Sequence, residues 1–222
     1  MVQLNELIDF SASPYSSIFE SAHAPWEALK NIKPFFDAQT SYGVHTLATQ
    51  GSIIGNLVTI GEGTVVEPGA VIMGPAIIGK NCLIRSGAYI REHVLIGDSC
   101  VIGHASEIKH SILLDGCQVA HFNYVGDSIL GNGAHMAAGS IIANVKIMSG
   151  SVRVTDGTES IDTGLDKFGA VLGDLTDIGC NAVINPGSII GRNCIIFPLV
   201  SWRGVLANNM IAKGPKECIV RK

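Results

Sequence analysis

The chain has 222 residues, a formal net charge of -4, and 47% hydrophobic residues. This length accommodates one domain with a small appendage, and the mild acidity provides no basic surface for nucleic acid. No stretch reaches the roughly 20 apolar residues that a membrane helix needs, and the start MVQLNELIDF lacks the basic segment of a secretory signal. We therefore expect a cytoplasmic protein that binds neither nucleic acid nor membrane.

The first segment, residues 1–50, is rich in aromatic residues. Trp26, Leu29 and Ile32 follow helical spacing, and they come after Pro25, a residue common in the first turn of a helix. We predict two or three short helices here that pack on the first turns of the following domain and cap its exposed end. A separate function for this segment is the alternative.

An aliphatic residue then recurs at every sixth position. The series is Ile54, Ile60, Val66, Ile72, Ile78, Ile84, Ile90, Ile96, Ile102 and Ile108. Neither a single helix nor a single strand has this period, but a chain that turns a corner every six residues does. The period predicts an all-β solenoid, a parallel β-helix, in which three short strands complete each turn of about eighteen residues. The inward side chains would stack about 4.8 Å apart in one column.

The same register continues after small slips. The later positions are Val119, Val125, Leu130, Met136, Ile142, Leu172, Ile178, Ile184, Ile190 and Ile196. We predict a solenoid over residues 51–205, with about seven to eight turns, and a C-terminal tail over 206–222. A glycine follows many core residues, as at Gly79 and Gly97, and we attribute it to corners that require a positive φ. Cys82 and Cys100 lie one turn apart and should stack as small apolar residues.

The one long break in the pattern covers residues 145–170 and is polar and rich in Gly, Ser, Thr and Asp. We predict an extruded loop. Insertions in solenoids collect on a binding face, so we expect this loop to serve a site. An insertion without a function is the alternative.

Polar residues that a solenoid does not need concentrate in residues 103–127, GHASEIKHSILLDGCQVAHFNYVGD. The spacings between His104, His110, His121 and His135 do not fit a zinc site, so we predict no metal. His121 lies near Tyr124 and close to two slips of the register. This position favours a general base.

At this window the sequence resembles a known family. The stretches EIKHS, AHFNYVGD, AAGSIIAN and KFGAVLGD resemble the acetyltransferase domain of the bifunctional enzymes that acetylate glucosamine 1-phosphate and then uridylylate the product. The resemblance covers about residues 78–200 and is closest over 103–144. PWEALKNI, residues 25–32, is similar to the helix that joins the two domains of such sugar nucleotidyltransferases. The glycine-rich nucleotide-binding start of their first domain is not found in residues 1–40.

The resemblance implies the roles of the acceptor site. His121 would be the base that takes a proton from the sugar amine, and Tyr124 would orient the amino sugar. Arg91, Lys109 and Lys167 match positions where the family places cations around the sugar phosphate. Asn144 matches an amide near the reacting acetyl group.

The resemblance also implies a donor and an assembly. Acetyl-CoA would lie along the outside of the solenoid near Ala138, Cys180 and Pro198. The family's β-helix is left-handed, and neighbouring subunits of a homotrimer complete its sites.

The sequence departs from the family at three places. His135 replaces an asparagine, Cys180 replaces a serine near the coenzyme, and Asn144 is followed by Val145 and Lys146 in place of an aromatic and an acid. Three functions stay open: an N-acyltransferase acting on an amino sugar phosphate, a non-catalytic nucleotide-sugar-binding or regulatory subunit of a separate nucleotidyltransferase, and a sugar O-acyltransferase.

Overall fold

The computed structural model describes residues 2–46, 50–157, 159–214 and 217–221. It confirms the predicted parallel β-helix. Each turn contributes one short strand to each of three parallel sheets, which form the three faces of a prism. We number the sheets 1 to 3 in the order in which the chain first enters them.

The strand bounds follow the turns of the solenoid. Sheet 1 contains Ile53–Ile54, Val71–Ile72, Tyr89–Ile90, Glu107–Lys109, Tyr124–Gly126, Ile141–Ile142, Val183–Ile184 and Ser201–Trp202. Sheet 2 contains Val58–Ile60, Ala76–Ile78, Val94–Ile96, Ser111–Leu113, Ile129–Leu130, Ala170–Leu172, Ser188–Ile190 and Val205–Leu206. Sheet 3 contains Val65–Val66, Leu83–Ile84, Val101–His104, Gln118–His121, His135–Met136, Asp177–Ile178, Ile195–Ile196, Met210–Gly214 and Glu217–Val220.

The predicted aliphatic column is the core of the prism. All the positions of the six-residue series from Ile60 to Ile196 belong to one buried cluster, and Ile54 packs against its end. Cys82 and Cys100 stack inside it as expected, with the Cys100 N–H donating to Cys82 Sγ at 3.4 Å. The period of six therefore marks the inward positions of successive strands.

The slips of the register lie at one corner. Ile77 pairs with Leu95, eighteen residues later, whereas Val94 pairs with Ser111 and Ile112 with Ile129, seventeen residues later. Each shortened turn loses its residue where the chain passes from sheet 1 to sheet 2. We call this edge, residues 109–110, 126–127 and 143–144, the Asp127 corner. The long insertion leaves from the same corner, directly after Asn144.

The glycines that follow core residues have a different cause from the one we predicted. Gly79 and Gly97 do not have a positive φ. A Cβ on Gly79 would lie 2.6 Å from the carbonyl carbon of Gly97, one turn away. Close approach of successive turns, and not the backbone angle, excludes a side chain there. Non-glycine residues such as Asn81 and Ser99 adopt the positive φ at the neighbouring corner positions.

The N-terminal segment forms the helices Leu4–Leu7 and Ser17–Glu20, the 3-10 turn Pro25–Glu27 and the helix Ala28–Asp37. The predicted location on the first turns is wrong. The helices lie along the outer face of sheet 2, where they build a second core. Its sheet members are Ile77, Leu95, Ile112, Ile129, Val171 and Ile189, and its helical members include Trp26, Leu29, Ile32 and Phe36. Sheet 2 is therefore buried on both faces, which explains why its strands are apolar at consecutive positions.

The insertion after Asn144 has two parts. Arg153–Asp156 and Glu159–Asp162 form an antiparallel hairpin, and Val152, Val154 and Phe168 are buried in the second core. Val145, Ile147 and Met148, in contrast, are exposed to solvent. The insertion is thus anchored against the N-terminal helices and presents an apolar tip beside the Asp127 corner.

Both ends of the solenoid are extended by further pairing. Val44 forms a parallel bridge to Ile60 at the first turn. At the other end, Met210–Gly214 pairs with Ile195–Ile196, and Glu217–Val220 turns back antiparallel to it. Within the described ranges, the predicted tail therefore carries two strands of sheet 3. None of the helices in these ranges is long and apolar enough to cross a membrane.

We expect Ile112→Ala to destabilise the protein by about 2–5 kcal/mol, because it opens a cavity between sheet 2 and the helices. Gln118→Ala is the matched control, since Gln118 also points outward but is exposed on sheet 3. Its effect should stay within about 0.5 kcal/mol. Urea unfolding followed by circular dichroism measures both. Equal midpoints for the two variants would contradict the lateral packing of the helices.

Candidate active site

His121 lies on the edge where the chain passes from sheet 3 back to sheet 1. It ends the strand Gln118–His121, it is exposed, and it pairs in register with His104 on the preceding turn. Its carbonyl accepts a hydrogen bond of 2.9 Å from the N–H of Gly139 on the next turn. We call this edge, residues 104–106, 121–123, 138–140, 180–182 and 198–200, the His121 corner.

The residues predicted to contact coenzyme A follow His121 along the same corner. The N–H of Asn181 donates to the Ala138 carbonyl, and the N–H of Leu199 donates to the Cys180 carbonyl, both at 3.0 Å. His121, Ala138, Cys180 and Pro198 therefore occupy equivalent positions on four successive turns, about 4.8 Å apart. Cys180 and Pro198 are exposed, and Ala138 is half-buried. Such a row presents a straight, accessible edge for an extended ligand.

The two histidines of this corner differ in how they are held. His104 Nδ1 lies 2.6 Å from the Ser86 carbonyl, so this nitrogen donates its proton and Nε2 is the free nitrogen. The His104 ring also contacts Phe122 edge to face at 5.3 Å. Within the described residues, the imidazole of His121 makes no hydrogen bond. His104 therefore has one ring nitrogen engaged, whereas both ring nitrogens of His121 are available to a ligand.

Asp127 is the centre of the other polar group, at the Asp127 corner. Its side chain is buried, and Asn144 Nδ2 donates a hydrogen bond to Oδ2. Lys109 Nζ lies 3.4 Å from Oδ2, and His110 Nδ1 lies 3.0 Å from Oδ1. Burial alone would raise the pKa of Asp127, but the contacts with His110, Asn144 and Lys109 outweigh it and hold the pKa below its usual value.

The predicted acceptor residues lie along sheet 1 and this corner. Arg91 Nη1 donates to Glu107 Oε1 at 2.9 Å, and Tyr124 Oη donates to Asn144 Oδ1 at 3.4 Å. Burial raises the pKa of the Tyr124 hydroxyl, and the nearby carboxylates of Asp127 and Glu107 raise it further. Tyr124 is therefore neutral at physiological pH and can donate.

Lys167 lies at the end of the insertion, next to this group. The N–H of Phe168 donates to the Asn144 carbonyl at 3.0 Å, and the N–H of Gly169 donates to the Asp127 carbonyl at 2.9 Å. The insertion thus leaves and returns beside the same two turns. Lys167 itself is exposed. Of the three predicted phosphate ligands, Arg91 and Lys109 each have a carboxylate partner.

Within one chain, the two halves of the predicted site lie at different corners. Between His121 and Asp127, about four residues, 123–126, cross sheet 1, and at about 3.3 Å per residue the two corners are roughly 10–15 Å apart. His121 and the row behind it occupy one corner. Asn144, Lys109 and Lys167 occupy the other.

Three residues of these corners were not among the predicted site residues. His110 and Asp127 form the shortened corner, and a count of five residues instead of six between Ile108 and Leu113 marks that shortening. Asn123 is a buried polar residue at an inward position of the His121 corner. The equivalent residues on the neighbouring turns are Ser106 and Ser140, so the only signal in the sequence is an amide side chain where the neighbours have a hydroxyl. Among the described residues, no group of three or more His, Cys, Asp or Glu side chains is arranged to hold a metal ion.

Comparison with known proteins supports the resemblance carried by these motifs. A family model described as the GMPPB C-terminal domain matches residues 72–160. A bifunctional sugar-1-phosphate nucleotidylyltransferase/acetyltransferase from Sulfurisphaera tokodaii is 32% identical over 113 residues, which are 51% of this chain and 27% of that protein. The chain thus spans about a quarter of the length of this curated relative. The resemblance to hexapeptide-repeat domains of sugar nucleotidyltransferases is confirmed.

Solved structures of the same general shape are more distant. An Arabidopsis UDP-N-acetylglucosamine acyltransferase has a TM-score of 0.46 and 14% identity, covering 81% of this chain and 74% of that one. The N-acyltransferase AntD from Bacillus cereus, in complex with dTDP and coenzyme A, has a TM-score of 0.43 and 17% identity, with 87% and 89% coverage. At these values the likenesses carry no argument about the site.

We expect Asp127→Asn to destabilise the protein by about 1–3 kcal/mol at pH 7, because it removes the acceptor shared by Lys109 and Asn144. Since the folded-state pKa of Asp127 lies below the ordinary value of about 3.9, this contribution is complete above about pH 5 and is lost as the pH falls through the folded-state pKa. The difference between wild type and variant should therefore shrink in acid. Denaturant unfolding at a series of pH values measures it.

Asp166→Asn is the control for this prediction, because Asp166 is an exposed carboxylate in the same insertion. It should leave the unfolding free energy within about 0.5 kcal/mol of wild type at every pH. A loss in Asp127→Asn that does not change with pH would contradict an ionised Asp127 at this corner.

Proposed function

We propose that this protein transfers an acetyl group from acetyl-CoA to the amino group of a sugar phosphate resembling glucosamine 1-phosphate. The row of His121, Ala138, Cys180 and Pro198 on one exposed edge carries this proposal. An imidazole at one end of a straight exposed edge suits a thioester whose long pantetheine arm runs along the turns. The similarity to a protein named as an acetyltransferase and sugar-1-phosphate nucleotidylyltransferase supports the choice of donor and substrate class.

His121 acts as the general base in this reaction. The amine attacks the thioester carbonyl and must lose a proton as the carbon–nitrogen bond forms, and the imidazole accepts that proton. Collapse of the tetrahedral intermediate breaks the carbon–sulfur bond and expels the coenzyme A thiolate, which takes the proton from the imidazolium and leaves as the thiol. A backbone N–H of the corner stabilises the oxyanion.

The Asp127 corner binds the acceptor. Tyr124 and Asn144 supply polar contacts to the sugar, and Lys167 offers an exposed cation to the phosphate. Arg91 and Lys109 contribute as members of ion pairs with Glu107 and Asp127, so they bind a phosphate less strongly than free cations would.

A homotrimer joins the two corners. Within one chain, the width of sheet 1 separates His121 from the Asp127 corner. The sugar bound at the Asp127 corner of one copy therefore reacts at the His121 of another copy. The exposed tip of Val145, Ile147 and Met148 provides apolar surface for that contact, and the exposed Phe122 and Leu199 on the His121 corner provide its counterpart.

The paired state of Arg91 and Lys109 favours a second candidate. A subunit that binds a nucleotide sugar and regulates a separate nucleotidyltransferase needs the same scaffold but no free phosphate cage. Binding of a UDP-sugar without thiol release from acetyl-CoA, for any amino sugar phosphate, would support this candidate. Thiol release with hydroxyl acceptors alone would instead indicate sugar O-acyl transfer.

The first test is His121→Ala, assayed by thiol release from acetyl-CoA with glucosamine 1-phosphate. We expect turnover to fall by about 10²- to 10⁴-fold, the usual contribution of a positioned base, with the KM for acetyl-CoA nearly unchanged. The melting temperature should stay close to wild type, because an exposed side chain contributes little to the core.

His104→Ala is the matched control, one turn away on the same corner, and should lose less than about tenfold. Full activity in His121→Ala, or a greater loss in His104→Ala, would show that His121 is not the base.

The second test is the double substitution Ile147→Asp and Met148→Asp. Charges in the apolar tip should dissociate the trimer into monomers and abolish acetyl transfer, because neither copy can complete the site. Light scattering measures the assembly. Leu175→Asp is the control, as another apolar and exposed residue at a different corner, and it should leave a trimer. An active monomer would contradict a shared site.

A further inference from the structure

At the His121 corner, only some of the turns have a polar residue at the inward position. From the second strand of sheet 1 onward, the inward residue before each strand is Ala70, Ala88, Ser106, Asn123, Ser140, Ala182 and Val200 on successive turns. Ser106, Asn123 and Ser140 are all buried. The polar stretch is centred on the turn that carries His121, and Asn123 is its largest member.

The Asn123 amide joins His121 to the turn that follows. Its Oδ1 accepts a hydrogen bond of 2.8 Å from the backbone N–H of His121. Its Nδ2 donates to the Ala137 carbonyl at 2.8 Å, and to the carbonyl and hydroxyl of Ser140 at 3.0 and 2.9 Å. One side chain therefore holds the backbone of His121 against the next turn of the solenoid.

The backbone at this point adopts an uncommon conformation. Phe122, between His121 and Asn123, has a φ of 54°, which is unfavourable for a residue with a Cβ. The His121 ring has no hydrogen-bond partner among the described residues, so its direction depends on the backbone that carries it. The backbone N–H and carbonyl of His121 are bonded to Asn123 and Gly139, respectively.

We propose that Asn123 is a positioning residue for His121. Its amide sets the direction of the imidazole on the exposed edge without touching any substrate. This inference rests on the proposed acyl transfer for its effect on rate, but the geometry it describes exists without substrate. A serine at position 123 would not replace the amide. On the next turn the equivalent Ser140 uses its hydroxyl to donate to the carbonyl of Ala137, three residues before it.

The test compares Asn123→Ser with Thr176→Val. Serine occupies this position on both neighbouring turns, so Asn123→Ser should fold as a solenoid. Thr176 is a buried polar residue at a different corner, where its hydroxyl donates to the Gly191 carbonyl at 3.0 Å. Both variants lose buried hydrogen bonds and should lower the melting temperature, but only Asn123→Ser should affect His121.

Two measurements separate positioning from stability. In kinetics, Asn123→Ser should lower kcat by about 10- to 100-fold, as expected for a misplaced catalytic group, with little change in the KM for acetyl-CoA. In nuclear magnetic resonance, which needs no substrate, the His121 amide should exchange faster and its ring signals should shift. Thr176→Val should leave kcat, the His121 amide and the ring signals as in wild type.

Asn123→Asp is the second variant. It keeps the acceptor for the His121 N–H but places a buried carboxylate oxygen against the carbonyls of Ala137 and Ser140, so its melting temperature should fall further than that of Asn123→Ser. In the folded protein it should still retain more kcat and more protection of the His121 amide than Asn123→Ser. Unchanged His121 signals in Asn123→Ser, or equal effects in Asn123→Asp and Asn123→Ser, would overturn the proposal. If wild type itself transfers no acetyl group, the proposed function fails, and the resonance measurement alone decides the role of Asn123.

Discussion

Stacking of each strand on the strand one turn away is the constraint on which the rest of this structure depends. Parallel pairing repeats from Ile53 to Trp202, and it brings equivalent residues of successive turns into register. The inward aliphatic side chains then form a column, and the backbones come so close that a Cβ at Gly79 would overlap Gly97. Polar chemistry is excluded from the column and must lie on outer faces or at corners.

Corners tolerate irregularity because they lie between the paired strands. At the Asp127 corner two turns are one residue short, and buried hydroxyls satisfy the altered backbone. Ser111 Oγ donates to the Lys109 carbonyl at 2.7 Å and accepts from the Ser128 N–H at 3.1 Å. Asp127 adds a buried anion held by partners on the turns before and after it. The shortened turns and the insertion thus create a polar site without disturbing the register of the core.

The regular spacing of the turns also shapes the proposed chemistry. An edge with equivalent positions about 4.8 Å apart is suited to an extended ligand, whereas a compact sugar needs the concentrated polar groups of an irregular corner. These two requirements are met on different edges of one prism. In the proposed mechanism, a second copy of the chain brings the two edges together.

The sequence by itself determined the inward positions, the parallel β-helix and the break after Asn144, because the column repeats one side-chain preference at a fixed spacing. The motif around His121 and Tyr124 also predicted a site in residues 103–144, but only the tertiary structure divided it between two corners. Only the tertiary structure decided what covers sheet 2, why glycine follows the core residues, and which groups neutralise Lys109 and Arg91. The six-residue period indicates which side chains point into the core. Outer faces and ion pairs depend on segments distant in the chain, such as the helix Ala28–Asp37 over Ile112, and no local pattern encodes that contact.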